Sequence, residues 1–184
     1  MSDKVEIATF AGGCFWCTEA IFKSLRGIEK VESGYTGGNV ENPSYDQVSM
    51  GNTSHAEAIQ ITFNPELISY AKLVKIFFST HNPTTLNQQG KDVGTQYRSA
   101  IFYTDEKQKI VAEKERGEFN KSNHYGKNAT TSIEPLTKFY RAEENHQNYY
   151  ERNKDNLYCT IVIDPKIKKL IKKYSSDLKE DYKE

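Results

Sequence analysis

The sequence predicts a mixed α+β protein organised as one domain. Three observations point there. The chain has 184 residues, below the roughly 250 at which single cores usually divide. Short alternating apolar runs, the period of strands, are interleaved with apolar residues at helical spacing, in a βα and ββα order. The hydrophobic fraction is only 36%, yet it includes 12 Tyr, 9 Phe and one Trp, so the core and any binding cleft should be aromatic.

Val5 to Phe10 reads as a short buried strand entering a turn at Ala11, Gly12 and Gly13, where glycine frees the backbone. A helix should begin there, carrying Glu19, Ala20, Ile21, Phe22 and Leu25 at helical spacing until Arg26 and Gly27 stop it. Ile28 to Tyr35 alternates as a second strand, broken by Gly34, Gly37 and Gly38. Asn39 to Thr53, rich in Asn, Pro, Ser, Tyr and Gly, is expected to be a long, largely irregular surface loop, a length usually associated with function. His55 to Phe63 is a strand, and Ser69 to His81 a helix with Leu73, Val74, Phe77 and Phe78 inward.

A second loop, Asn82 to Tyr97, contains Pro83, Gly90 and Gly94. Beyond it the pattern predicts a strand over Ser99 to Tyr103, a charged helix from Asp105 to about Asn120 and an edge strand over Thr130 to Glu134. A short helix over Asn145 to Asn153, a strand over Tyr158 to Ile163 and a proline-opened helix over Pro165 to Tyr174 complete the chain. Lys166, Lys168, Lys169, Lys172 and Lys173 read as the solvated face of that last helix. No internal repeat or linker divides the sequence.

Charge and composition exclude several classes. Lys+Arg 25 against Asp+Glu 25 leaves no net charge, which removes the bulk attraction on which nonspecific nucleic-acid binding relies. No apolar run follows the charged MSDKVE start, and none approaches the roughly 18 residues that cross a bilayer, so a cytoplasmic protein with no membrane partner is expected. Three cysteines cannot form a fully paired disulfide framework, which makes a reactive or metal-binding thiol the better expectation.

The strongest chemical signal is Gly12-Gly13-Cys14-Phe15-Trp16-Cys17 between a strand and a helix. A cysteine at a helix start faces unpaired amides and the positive end of the dipole, both of which favour thiolate. The dipole contributes only about 0.3 to 1 kcal/mol, less than about one pKa unit, so further donors or substrate must help. The plainer alternative is two buried cysteines packed as small hydrophobes.

Glu57 shares the parity of Ile59, Ile61 and Phe63, which places a carboxyl on an apolar strand face, where burial raises its pKa and makes it a proton donor. The alternative is a frayed, hydrated strand start at His55 and Glu57. Asp92, Tyr97 and Arg98 fall in the second loop, and Tyr35 and Tyr45 in or beside the first. Loops of this kind can close over the Cys14 helix start and offer phenols to a polar substrate atom. His146 and Tyr149, three apart on the short helix, either line the same cleft or cap it.

The motifs GGCFWC, GYTGG, NPSY, HAEA, GTQYRS and FYRAEENHQNYY, in this order from Ala8 to about Ile163, resemble the peptide methionine sulfoxide reductase A family. The resemblance implies an α+β fold of ferredoxin-like α/β plait type, a two-layer sandwich wrapped by long loops. It implies reduction of the S epimer of methionine sulfoxide, free or in oxidised proteins and peptides, with no metal or organic cofactor and with thioredoxin as reductant. By motif, Cys14 resembles the family nucleophile, Phe15 and Trp16 the pocket for the substrate methyl, and Glu57 the acid. Tyr45 and Tyr97 match the phenols that bind the sulfoxide oxygen, and Asp92 the carboxylate of the same loop. Cys17 and Cys159 are both candidate resolving thiols, Cys17 slightly preferred as first partner. Two positions depart from the pattern: Lys91 stands where Asn is expected, and Ser54 where Gly is expected.

Two rivals use the same residues. One is a general thiol-disulfide oxidoreductase on Cys14-Phe15-Trp16-Cys17, against which the bulky Phe15 and Trp16 suggest a pocket. The other is a structural zinc module of Cys14, Cys17, Cys159 and a histidine such as His146, weakened by the absence of a second short-spaced ligand pair.

Overall fold

The computed structural model describes residues 4–183, so residues 1–3 and 184 of the expected 1–184 domain lie outside it. The chain runs β1 (Glu6–Gly12), α1 (Phe15–Lys23), β2 (Ile28–Thr36), α2 (Tyr45–Ser49), β3 (Ala56–Phe63) and α3 (Tyr70–Thr80). A small ribbon of β4 (Gln88–Gln89) and β5 (Asp92–Val93) precedes β6 (Ser99–Tyr103), α4 (Glu106–Ser122), β7 (Ser132–Pro135) and β8 (Tyr140–Arg141). The helices α5 (Tyr149–Arg152) and α6 (Asp164–Tyr174) follow. This is a mixed α+β fold.

Six strands form one sheet in the order β7-β6-β1-β3-β2-β8. The inner four pair antiparallel throughout, with Phe10 opposite Ile59, Gly12 opposite Ser99 and Tyr35 opposite Glu57. Strand alternation divides the side chains between two faces. On one face Phe10, Ile59, Ile61 and Phe63 meet Phe22 of α1 and Leu73 and Phe77 of α3. The Phe10 ring centroid lies 5.0 Å from Phe77 and 5.5 Å from Phe22, and truncating such a core ring to alanine typically costs about 3 to 5 kcal/mol. On the other face the small side chains Ala11, Ala56, Ala58 and Ala100 surround Phe102 and are covered by Leu136 and Phe139. Among the described residues no helix is long and apolar enough to cross a membrane.

Most predicted elements are present within two residues, including the Ser69 cap of α3, whose side chain accepts the Lys72 N–H. Four expectations are corrected. The first loop is not wholly irregular: Ser44 and Gln47 form a reciprocal capping box that starts α2, and buried Val48 anchors it. The second loop contains the β4–β5 ribbon and a 3₁₀ turn over Thr95–Tyr97. The helix expected over Asn145 to Asn153 is split into a 3₁₀ turn, Glu144–His146, and α5, because Asn148 takes a left-handed backbone (φ 52) and donates its N–H to Glu19 Oε1 at 2.8 Å. The predicted strand Tyr158 to Ile163 is helical: Cys159–Ile163 is a π-helical turn leading into α6. Its β-branched run suggested a strand, yet Cys159 and Ile163 are buried while Ile161 between them is 62% exposed, the period of a helix set by packing.

One buried histidine braces the end of β1. His81 packs against Phe77, beside the backbone of Gly12, where a Cβ would lie 3.0 Å from Phe77. Its Nδ1 is 2.6 Å from the Phe77 carbonyl, which can only accept, so Nδ1 carries the proton. Nε2 then accepts from Ser99 Oγ at 2.8 Å, and Ser99 Oγ accepts from Thr131 Oγ1 at 2.8 Å. Burial, only partly opposed by the carbonyl, lowers the imidazole pKa to about 4. The contribution is therefore fully present above the unfolded value near 6.5 and is lost as pH falls toward the folded value near 4. In urea unfolding, wild type should lose about 2 kcal/mol more than His81→Gln between pH 7 and pH 5. Parallel pH profiles for the two proteins would show that His81 is not held neutral.

Candidate active site

The turn that ends β1 places Cys14 at the N-cap of α1. Gly13 adopts φ +92, and a Cβ there would lie 2.7 Å from the Gln89 side chain, so the turn needs glycine on both counts. Cys14 itself is extended (φ −56, ψ 126) and only 8% exposed, and its carbonyl accepts the Cys17 N–H at 3.1 Å. Because Cys14 stands outside the helix, the helical Cβ spacing between residues three apart does not govern the Cys14–Cys17 pair.

Glu57 arrives from the central strand β3 and is 1% exposed, so the hydrated strand start is overturned. Its Oε2 accepts the Phe15 N–H at 3.0 Å. Burial outweighs that bond and, with Asp92 and Cys17 nearby, raises the carboxyl pKa to about 8. The group is a neutral acid at pH 7.

The expected stabilisation of a Cys14 thiolate by free helix amides is not what the geometry provides. The Phe15 amide is taken by Glu57 and the Cys17 amide by the Cys14 carbonyl. Burial first, and then its hydrogen bond to Cys17, push the Cys14 thiol well up. Cys17 has the opposite balance: the Cys14 hydrogen bond lowers it against burial, Lys166 and Tyr158 assist, and it falls to about 7. The pair therefore shares one readily lost proton.

Aromatic side chains cluster around Phe15 and Trp16. Trp16 stacks on Tyr149 with centroids 3.7 Å apart, and its indole N–H donates to His146 Nδ1 at 3.1 Å. The His146 ring lies 4.2 Å from that of Tyr45, and Phe15 packs 5.7 Å from fully buried Tyr35. His146 and Tyr149 thus pack on Trp16, and burial lowers the His146 pKa. Tyr45 and Tyr97 are half-buried phenols; burial raises both, Tyr45 to about 12, so each remains a donor.

Two residues that the sequence pattern did not single out complete the arrangement. Tyr158 donates to Asp92 Oδ2 at 2.8 Å and lies 3.7 Å from Cys17 Sγ, so the second loop and the C-terminal helical region meet over the thiols. Glu143 accepts from the Tyr35 hydroxyl at 3.1 Å and the Tyr45 N–H at 3.2 Å, and its Oε2 is 3.7 Å from His146 Nε2. The only sequence signal for either was adjacency to a singled-out residue, Cys159 and the His146 segment.

Cys159 does not join the cleft surface. It is buried in the helical turn and its thiol makes no hydrogen bond among the described residues; burial raises its thiol pKa. All three cysteines are free. Arg98 turns to the backbone carbonyls of Thr95 and Ser54. The Ser54 departure now has a physical reading: its φ of 60 is the left-handed region that favours glycine, and the Arg98 contact at 3.1 Å braces it. Lys91 sits at the exposed tip of the ribbon.

Fold and site together define a class, an α+β protein that holds two buried free thiols beside a buried carboxyl. A sequence profile described as Peptide methionine sulfoxide reductase matches residues 6–179. A Deinococcus radiodurans protein named peptide methionine sulfoxide reductase MsrA is 52% identical over 95% of this chain and 84% of its own length. The reduced form of Mxr1 from Saccharomyces cerevisiae superposes with a TM-score of 0.78 at 34% identity, covering 86% of this chain and 91% of that one. Mxr1 in complex with Trx2 aligns with a TM-score of 0.56 at 27% identity over 81% and 87% of the two chains. The chain belongs to the peptide methionine sulfoxide reductase family, and with that membership goes peptide-methionine (S)-S-oxide reductase activity.

Thiolate absorbance at 240 nm should show the reduced enzyme losing its first thiol proton near pH 7. When Cys17 ionises, the Tyr158 hydroxyl can turn from Asp92 to the sulfur 3.7 Å away, and Tyr158→Phe, which removes that donor, should move the step upward. An unchanged midpoint in the variant would show that the phenol does not bond the sulfur.

Proposed function

We propose that Cys14 is the nucleophile that reduces the S epimer of methionine sulfoxide, peptide-bound and free, and that Glu57 is the acid that makes its oxygen leave. One observation carries the reading: a neutral, buried carboxyl bonded to the residue next to Cys14, beneath an aromatic wall. Thioether groups pack well on aromatic rings, so Trp16, Phe15 and Tyr149 suit the substrate methyl. Tyr45 and Tyr97 suit the sulfoxide oxygen as donors, and Asp92 holds the Tyr158 hydroxyl beside Cys17.

In the reductive step the shared proton resides on Cys17 and the Cys14 thiolate attacks the sulfoxide sulfur. Glu57 protonates the oxygen, methionine leaves, and Cys14 becomes a sulfenic acid. Cys17, whose backbone N–H bonds the Cys14 carbonyl, attacks that sulfur, and water departs as the disulfide forms. Cys159 remains the candidate that relays or replaces Cys17, and this requires its buried helical turn to open. A thioredoxin then reduces the disulfide, a reading supported by the Mxr1–Trx2 complex.

The same reading treats residues 1–184 as one cytoplasmic reductase domain. The antiparallel order β6-β1-β3-β2, with α1 and α3 on one face, supports classing its centre as a ferredoxin-like plait.

Steady-state assays on separated epimers should give turnover of S only; activity on R alone would sink the assignment. Glu57→Gln should slow the reductive step by roughly 10² to 10⁴, the usual range for a general acid. In wild type that step should also decline as pH rises past about 8, where Glu57 loses its proton, and the variant should lack this limb. A single-turnover rate near wild type, with the same pH profile, would remove Glu57 from the mechanism.

A further inference from the structure

Met50 lies outside the site and is the chain's one methionine besides Met1. It is the C-cap of α2, where its N–H bonds back to the carbonyls of Asp46 and Val48, and it is 75% exposed. Its side chain belongs to neither apolar cluster. Gly51 follows with φ +74, so Met50 sits where the chain turns at the surface. An exposed thioether is readily attacked by a peroxide, which transfers one oxygen to sulfur and leaves as the alcohol or water. In a core the polar product disrupts packing; here the fold has nothing to give up, so the folded enzyme carries the sulfoxide.

We propose that Met50 is a peroxide-modified site whose sulfoxide is a substrate for a second copy of this same enzyme. The inference rests on the reductase reading above. Repair between molecules follows from where Met50 is attached. Tyr45 opens α2 and Met50 closes it, about 8 Å further along the axis. The helix is held by buried Val48, by the Gln96 side-chain amide donating to the Ser49 carbonyl at 2.9 Å, and by the Tyr45 N–H on Glu143. For Met50 to reach its own Cys14, α2 would have to unwind and take the Tyr45 phenol out of the cleft. A second molecule meets no such conflict: its thiols take the oxygen, Cys14 and the resolving cysteine become a disulfide, one water is released, and Met50 returns to the thioether.

The test uses Cys14→Ser as substrate, because it carries Met50 without the nucleophile, and Cys14→Ala as a second variant should the first misfold. Each is oxidised with hydrogen peroxide, freed of oxidant, and incubated in dithiothreitol with unoxidised wild type. The tryptic peptide Val31–Lys72, which contains Met50 and no cysteine, is then weighed. It should gain one oxygen on oxidation. Wild type should remove that oxygen from roughly half of the molecules, the S share of a peroxide product, at a rate proportional to its concentration, while dithiothreitol alone removes none. A methionine sulfoxide peptide in the same tube separates the possible failures. If that peptide is reduced and Met50 is not, self-repair is wrong; if neither is reduced, the reductase reading falls and takes this inference with it. Oxidised wild type repaired at a rate independent of its own concentration would show repair within one molecule and overturn the proposal.

Discussion

The site depends on the hydrogen bond from the Phe15 N–H to the Glu57 carboxyl. At 3.0 Å it joins the first turn of α1 to the centre of β3 and bears on two protonation states at once. A carboxyl so deeply buried would resist ionisation strongly, and the amide moderates this to a pKa of about 8. The amide so occupied no longer serves Cys14, whose thiol is pushed up by burial and shares a proton with Cys17. Burial is the main cause of both shifts, and the contact sets acid and thiol side by side.

Around that contact, side chains from distant parts of the chain are pinned by buried polar bonds. Gln147 exchanges hydrogen bonds with both the N–H and the carbonyl of Ser33 on β2, which ties the His146 segment to the sheet. Glu143 then holds Tyr35, Tyr45 and, at longer range, His146. Trp16 is fixed from both sides, by the His146 nitrogen and by the face of Tyr149. The long loops, which carry only the short α2, the β4–β5 ribbon and a 3₁₀ turn, are held at the site because these bonds satisfy polar groups that no longer ladder reaches.

The local determinants were legible in the sequence. The glycine pair before Cys14 is required by backbone conformation, which acts over neighbouring residues. The parity of Glu57 with Ile59 and Ile61 placed its carboxyl on the apolar face through strand alternation, and the structure decided between burial and a hydrated strand start. Misreadings fell where local preference and packing disagree. The run Thr160-Ile161-Val162-Ile163 favours a strand by residue type, but Cys159 and Ile163 pack inward one turn apart and make it helical. Asn148 interrupts a segment with helical pattern because its amide finds Glu19 on α1.

By itself, then, the sequence determined the α+β class, the strand-turn-helix that presents Cys14, the acidic position on β3 and the two loops that carry phenols. Those depend on steric freedom and periodicity, which neighbouring residues express. Only the tertiary structure decided that Cys14 and Cys17 titrate as a pair, where Tyr158 and Glu143 enter, and that Cys159 is enclosed in a helical turn. These depend on burial and on hydrogen bonds between residues as many as 141 positions apart, as with Cys17 and Tyr158. The electrostatics of such groups is set by what surrounds them in space, and no local pattern encodes it.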